Sequence, residues 1–358
     1  MKISEAADII AHVFQYNLEQ ALSGRDHNNF IVPFVRGDPG IGKTAAPKQV
    51  AKRLSSPEMT VHYGQVIVAQ YDAGELAGLP FAQGDRMVRL RPGYLPPAPP
   101  TKEQIEKNDF TIGIFNLDEL PQAFLANQNI CSQIVNEWRV GEHAISPFWT
   151  FCATGNKAEN KAGTTTMPTH LRDRLMFLDV EVDHETWLVY AAQYGIDPRI
   201  RAYIRQNPGS LSDFNPTESA CPSPRSWEKA SGILSMGMNK GLRTMALSGQ
   251  IGDGHATKFE AWLRVENELP RIEDIIKDPM NAPVFDNRKA DILYLLLTSL
   301  ADVADAKNVG AILEYIKRLP NQEFAAFWAS DALTRDPKLN ELKAVTDWKM
   351  KHAAKLIF

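Results

Sequence analysis

The chain has 358 residues, enough for two or three domains with real cores, and 44% hydrophobic with 23% charged residues is ordinary globular composition. A formal net charge of −4 excludes a global basic field for nucleic acid and leaves a local basic channel as the only electrostatic route to one. Cys131, Cys152 and Cys221 stand far apart with no Cys-x-x-Cys pair or Cys/His cluster, which argues against zinc and against a disulfide framework.

No apolar run approaches the roughly 18 residues that span a bilayer. Met1-Lys2-Ile3-Ser4-Glu5 does not open a signal peptide. A cytoplasmic protein with no membrane partner is therefore expected. Ile3, Ala7, Ile10, Phe14 and Leu18 fall at helical spacing and predict a helix over residues 3–22, with Ser4 as a candidate cap. A first strand is expected from Phe30 to Arg36, its regular part following Pro33.

That strand runs into Gly37-Asp38-Pro39-Gly40-Ile41-Gly42-Lys43-Thr44, a phosphate-loop pattern of Gly, four residues, then Gly-Lys-Thr. Glycines let the backbone curl so that several N–H groups face a polyphosphate, and the following helix adds the positive end of its dipole. Lys43 reaches for the β- and γ-phosphates of a nucleotide such as ATP, and the Thr44 hydroxyl is suited to Mg²⁺. The loop helix is predicted from about Lys43 to Leu54, with Pro47 in the first turn, where proline is tolerated.

Val66 to Tyr71 reads as a second, buried strand, and Met87 to Leu90 as part of a hairpin. The prolines from Pro92 to Pro100 mark a rigid surface loop. Thr111 to Leu117 is an apolar strand ending in Asp118 and Glu119, where α/β folds place ligands. Asp118 is the candidate for the Mg²⁺ shell, and Glu119 for orienting and deprotonating an attacking water. A helix over Gln122–Trp138 and a strand over Trp149–Asn156 follow, with Asn156 aimed at the γ-phosphate or its water. Lys157 to Thr166 is a polar loop, and Met176 to Val182 is the last strand. Arg172 and Arg174 precede it at a helix end, where cations are stabilised, and either could serve as an arginine finger.

From Glu185 onward the pattern is helical. Ser223 caps a helix with Pro224 at its first position, and Arg225 in that first turn opposes the helix dipole. Further helices are expected near 241–250, 254–268, 286–307, 308–318, 322–332 and 338–356.

Taken together these motifs resemble the AAA+ ATPases, and among them the MoxR-type branch. Besides the phosphate loop, the resemblance rests on Asp72 through Gly78-Leu79-Pro80, Tyr94-Leu95-Pro96, Leu117-Asp118-Glu119, Ala153-Thr154-Gly155-Asn156, Arg172-Asp173-Arg174-Leu175 and Pro224-Arg225-Ser226-Trp227. It implies an α/β fold: an αβα P-loop core with a five-stranded parallel sheet in residues 1–183, a helical lid in 184–280, and a C-terminal helical extension in 281–358. It also implies a homo-oligomer, a hexameric ring with ATP and Mg²⁺ between subunits. On this resemblance Gly37 to Thr44 bind the nucleotide, Thr44 and Asp118 the metal, and Glu119 the water. Asn156 is the first sensor, Arg225 the second sensor on the lid, and Arg174 the finger with Arg172 as fallback. Arg36 and Pro47 depart from the family pattern, and residues 281–358 carry none of its motifs.

Relatives of this kind act as chaperone-like remodelers, often beside a von Willebrand factor A partner, which here would be a separate protein. Two other functions compete with a remodelling ATPase. One is a nucleic-acid-associated AAA+ ATPase of restriction or helicase-loader type, which the net charge disfavours. The other is a nucleotide-dependent scaffold with little turnover, which the pairing of Glu119 with an arginine candidate disfavours.

Overall fold

A computed structural model describes residues 1–25, 27–157, 166–285 and 289–352. The chain forms two compact units, Met1–Val182 and Asp183–Phe358.

The first unit runs α1 (Ile3–Leu22), β1 (Pro33–Gly37), α2 (Ala45–Leu54), β2 (Val61–Ile67), α3 (Ala73–Ala77), β3 (Pro80–Gln83) and β4 (Arg86–Arg89). It continues through α4 (Lys102–Glu106), β5 (Ile112–Asp118), α5 (Leu125–Glu137), β6 (Arg139–Val140), β7 (His143–Ala144), β8 (Trp149–Asn156), α6 (Thr169–Arg172) and β9 (Met176–Asp179). Five strands form one sheet in the order β2-β5-β8-β1-β9, each pair parallel, while β3-β4 and β6-β7 are separate antiparallel hairpins.

Strand alternation divides the apolar residues between two faces. Val35, Ile114 and Cys152 face a core shared with Ile10 and Phe14 of α1 and Val50 of α2. Phe34, Phe115 and Phe151 face the other, shared with Cys131 and Ile134 of α5. This is the αβα layering expected. Helix α1 is tied down by Asn17, 1% exposed, whose amide donates to Ile31 O at 2.8 Å and accepts from Ile31 N at 2.9 Å.

Four local expectations are corrected. The second strand lies five residues earlier than its apolar run suggested, and Val68–Gln70 is a 3₁₀ turn. β2 is a sheet edge, where Val61 and Val66 are buried and the residues between them are exposed or partly exposed, so it carries no continuous apolar signal. The loop helix begins at Ala45, not Lys43. The last strand ends at Asp179, short of Val182. Ser4 lies inside the first turn of α1, and the Lys2 N–H at that end is satisfied by Glu5 Oε2 at 2.8 Å.

Arg36, the departure before the loop, has a structural partner. Parallel register sets it beside Asp179 on β9, where the two side chains form a bidentate pair with one contact at 3.0 Å. Its guanidinium also lies 4.8 Å from the Phe177 ring centroid. An arginine is accommodated because β1 has only one neighbour, β9, between it and the sheet edge.

The second unit is helical: α7 (His184–Gln193), α8 (Pro198–Gln206), α9 (Pro224–Ser235), α10 (Lys240–Ile251), α11 (Asp253–Trp262), α12 (Ile272–Lys277), α13 (Ala290–Val303), α14 (Val309–Ile316), α15 (Gln322–Arg335) and α16 (Lys343–His352). α9 opens on a Ser223/Ser226 capping box with Pro224 at its first position. The helix expected over 254–268 breaks after Trp262 into a 3₁₀ segment. An aromatic cluster of Tyr203, Trp227, Phe259 and Trp262 joins α8, α9 and α11. Leu296, Leu300, Ile312, Trp328 and Trp348 form the main core, to which Ile275 of α12 also belongs.

Arg201 of α8 is 1% exposed and binds Asp331 of α15 at 2.8 Å as well as Asp302 of α13. Helices from both sides of residue 280 are thus joined by one buried charge network. Among the described residues, no helix is long and apolar enough to cross a membrane.

Candidate functional site

The loop after β1 has the geometry its glycines imply. Gly40 and Gly42 have φ of 80° and 90°, a region in which side-chain-bearing residues are strained. Gly37 is required for a different reason: a Cβ there would lie 2.5 Å from Val180 O. Ile41, 7% exposed, pins the loop to the core. Gly42 O accepts from Ala45 N at 3.0 Å and Ala46 N at 3.1 Å, so α2 starts directly behind Lys43 and Thr44. Asp38, Pro39 and Gly40 line the outward curl, all half-buried.

Lys43 is 8% exposed, and a buried ammonium must be hydrogen-bonded. Its Nζ donates to Asp38 O at 2.5 Å and to Asn156 Oδ1 at 3.1 Å. Asn156 ends β8, which lies beside β1 in the sheet.

Asp118, 7% exposed at the end of β5, is the most heavily solvated carboxylate of the site by protein donors. It accepts from Thr44 Oγ1 at 3.2 Å, Gln65 Nε2 at 3.0 Å, the Glu119 N–H at 3.1 Å, and Thr154 Oγ1. These partners have partners of their own: Tyr63 donates to Gln65 Oε1 at 2.8 Å, and Asn116 Nδ2 to Thr154 Oγ1 at 3.0 Å. Burial pushes the Tyr63 hydroxyl well above its ordinary range. The Cys152 thiol is likewise pushed up, by burial first and then by the nearby Asp118 charge, so it stays protonated.

Glu119 is exposed and sits in the left-handed region, φ 55° and ψ 32°. That conformation turns the chain sharply off the strand into the Leu120–Gln122 turn. Gln122, with its amide oriented to satisfy both ends, donates to Glu119 O at 3.2 Å and accepts from Asn156 Nδ2 at 2.9 Å.

The structure therefore gathers Gly37 to Thr44, Asp118, Glu119 and Asn156 at the ends of adjacent parallel strands. Arg172 ends α6, exposed, with its guanidinium 3.4 Å from Thr169 Oγ1. Arg174 is exposed; its N–H donates to Leu171 O at 3.1 Å, and its side chain makes no hydrogen bond or ion pair among the described residues. Among the described residues, neither side chain is hydrogen-bonded or ion-paired to the gathered group. Arg225 lies in the second unit, exposed in the first turn of α9.

A hydroxyl and a carboxylate, Thr44 and Asp118, are hard oxygen donors already in mutual contact. Mg²⁺ takes one or two protein oxygens and keeps waters and phosphates for the rest, so the pair fits it. The described residues hold no group of three or more His, Cys, Asp or Glu side chains suited to a metal. The loop, with its positive-φ glycines and a lysine at the helix mouth, fits a polyphosphate.

Sequence reasoning overlooked Gln65, Thr154 and Gln122. Thr154 stands two positions before Asn156 on the same face of β8, and Asn116 two before Asp118 on β5, so polar residues recurring at period two in apolar strands were an available signal. Gln65 was hidden by the misplaced second strand.

No family model matches the chain, and no curated protein matches it. Among solved structures it is similar to mutants of RuvB from Thermotoga maritima. One is 13% identical, with 82% of each chain covered and a TM-score of 0.37. A second is 13% identical over 82% of this chain and 81% of its own, at 0.36, and a third matches the same shares at 0.37.

Proposed function

We propose that this chain is a MoxR-like AAA+ ATPase that hydrolyses ATP between the subunits of a ring and uses the cycle to remodel a separate protein. The observation that carries the reading is the convergence of Lys43 and Thr44 on Asn156 and Asp118. A lysine at a helix mouth, a hydroxyl–carboxylate pair and a strand-end amide are the parts that phosphoryl transfer to water requires. Such transfer needs positioning and charge neutralisation more than covalent chemistry.

In this reading the loop N–H groups and Lys43 hold the β- and γ-phosphates. Bound Mg²⁺, held by Thr44 with Asp118, supplies further charge neutralisation. Glu119, exposed beside Asp118, accepts the proton of the attacking water, and Asn156 orients that water or the γ-phosphate. Arg174, or failing it Arg172, reaches a neighbouring subunit's nucleotide, which accounts for an exposed Arg174 guanidinium with no side-chain partner among the described residues. Arg225 serves as the second sensor. The client is a protein, recruited alone or through a von Willebrand factor A-type partner.

The test is turnover of ATP by wild-type protein and Glu119→Gln at concentrations where a ring forms. Loss of a general base costs about 10²–10⁴-fold in rate. Equal rates, or no turnover by the wild type, would favour a nucleotide-dependent scaffold. Hydrolysis stimulated by DNA, with salt-dependent binding, would move the client from protein to nucleic acid.

A further inference from the structure

We infer that Gln122 is a positioning residue that couples the Asn156 amide to the turn bearing Glu119. The inference rests on the ATPase reading above. Its starting point is a continuous chain of hydrogen bonds running across three segments. Lys43 Nζ donates to Asn156 Oδ1 at 3.1 Å. Asn156 Nδ2 donates to Gln122 Oε1 at 2.9 Å, and the Asn156 N–H reaches the same oxygen at 3.3 Å. Gln122 Nε2 then donates to Glu119 O at 3.2 Å, where the Gln122 backbone N–H also donates, at 3.0 Å.

Two features make this more than a surface contact. Glu119 has φ 55°, a left-handed conformation that an ordinary side-chain-bearing residue holds only when its surroundings impose it. Two donors from Gln122 on the Glu119 carbonyl are such an imposition. Second, the turn is seated against β8 so closely that a Cβ on Gly155 would lie 2.2 Å from Pro121 Cδ and 2.7 Å from Pro121 Cγ. The amide is therefore locked between the strand end and the glutamate peptide, with each of its ends used once or more.

The consequence is directional. Whatever engages Lys43 or Asn156 changes the pull on Gln122, and Gln122 acts on the peptide that aims the Glu119 carboxylate. Only an amide does both tasks: a carboxylate at this position accepts from Asn156 but cannot donate to Glu119 O, and an alanine does neither.

The experiment uses full-length Gln122→Ala and Gln122→Glu beside wild type and Glu119→Gln. Four quantities are read: kcat and KM for ATP, thermal midpoint, and hydrogen exchange of residues 119–123 with and without ATP. We expect both Gln122 variants to lower kcat about tenfold or more, with KM and thermal midpoint close to wild type. In wild type, ATP should slow exchange in the turn; in Gln122→Ala it should not. Asn156→Ala combined with Gln122→Ala should be no slower than Asn156→Ala alone, since both cut one chain. Unchanged kcat, additive effects, or an exchange response to ATP that survives Gln122→Ala would overturn the inference. So would a fall in thermal midpoint that accounts for the activity loss in both variants. If Glu119→Gln abolishes turnover while Gln122→Ala is silent, the coupling alone fails. If wild type does not turn over ATP, the ATPase reading fails and takes the coupling with it.

Discussion

Lys43 Nζ lies 3.1 Å from Asn156 Oδ1, although 113 positions of sequence separate the two residues. The contact exists because β1 and β8 are parallel neighbours whose C-terminal ends coincide, Gly37 standing opposite Asn156. A charge from the loop and an amide from a distant strand are thereby presented to one point.

Lys43→Ala is expected to weaken ATP binding. A charge-assisted hydrogen bond is worth about 1.5–3 kcal/mol, so a loss of roughly tenfold to a hundredfold or more follows. Direct titration with a fluorescent ATP analogue checks it; wild-type affinity would contradict the assignment of Lys43.

Arg174→Ala should bind ATP normally and hydrolyse it at least about 10³-fold more slowly, the scale of an arginine finger. Undiminished turnover by the assembled variant transfers the role to Arg172, which Arg172→Ala then tests in the same assay.

Gly155→Ala should destabilise the first unit by about 1–3 kcal/mol, because the added Cβ would sit 2.2 Å from Pro121 Cδ and the turn must shift. Urea unfolding monitored by tryptophan fluorescence reads this directly. An unchanged midpoint would mean that the turn moves freely off β8.

Arg201→Ala leaves Asp331, whose side chain is 5% exposed, without its cation. Burial already pushes the Asp331 carboxyl above the usual range, and Arg201 is the first group holding it down. A loss of about 3–5 kcal/mol in the second unit is expected. Asp302→Asn should cost much less, since that side chain is 34% exposed. Equal effects of the two substitutions would contradict the buried pair as the anchor.

The Arg36–Asp179 pair predicts a pH dependence. Its hydrogen bond to Arg36 holds the Asp179 carboxyl below its ordinary value of 3.8. The folded state therefore binds that proton less readily than the unfolded chain. The stabilisation is present above pH 3.8 and is lost as pH falls through the lower folded value. Both side chains are partly exposed, so the effect is modest and weakens with salt. Unfolding curves between pH 5 and 3 should show a shallower acid loss in Asp179→Asn than in wild type.

By itself, the sequence determined the parts whose chemistry is contiguous. Gly37 to Thr44 form one loop because glycine φ freedom and the helix behind it are local properties. α1 over Ile3–Leu22 and β8 over Trp149–Asn156 were legible for the same reason, since helical periodicity and a strand rich in aromatic and small apolar residues are written in consecutive residues. Tertiary structure alone decided what crosses between segments. The edge position of β2 gave Gln65 to Asp118, the β1–β9 register gave Arg36 to Asp179, and the left-handed turn at Glu119 gave Gln122 to Asn156. Strand order and turn hand are set by packing over the whole sheet, so no window of the sequence contains them.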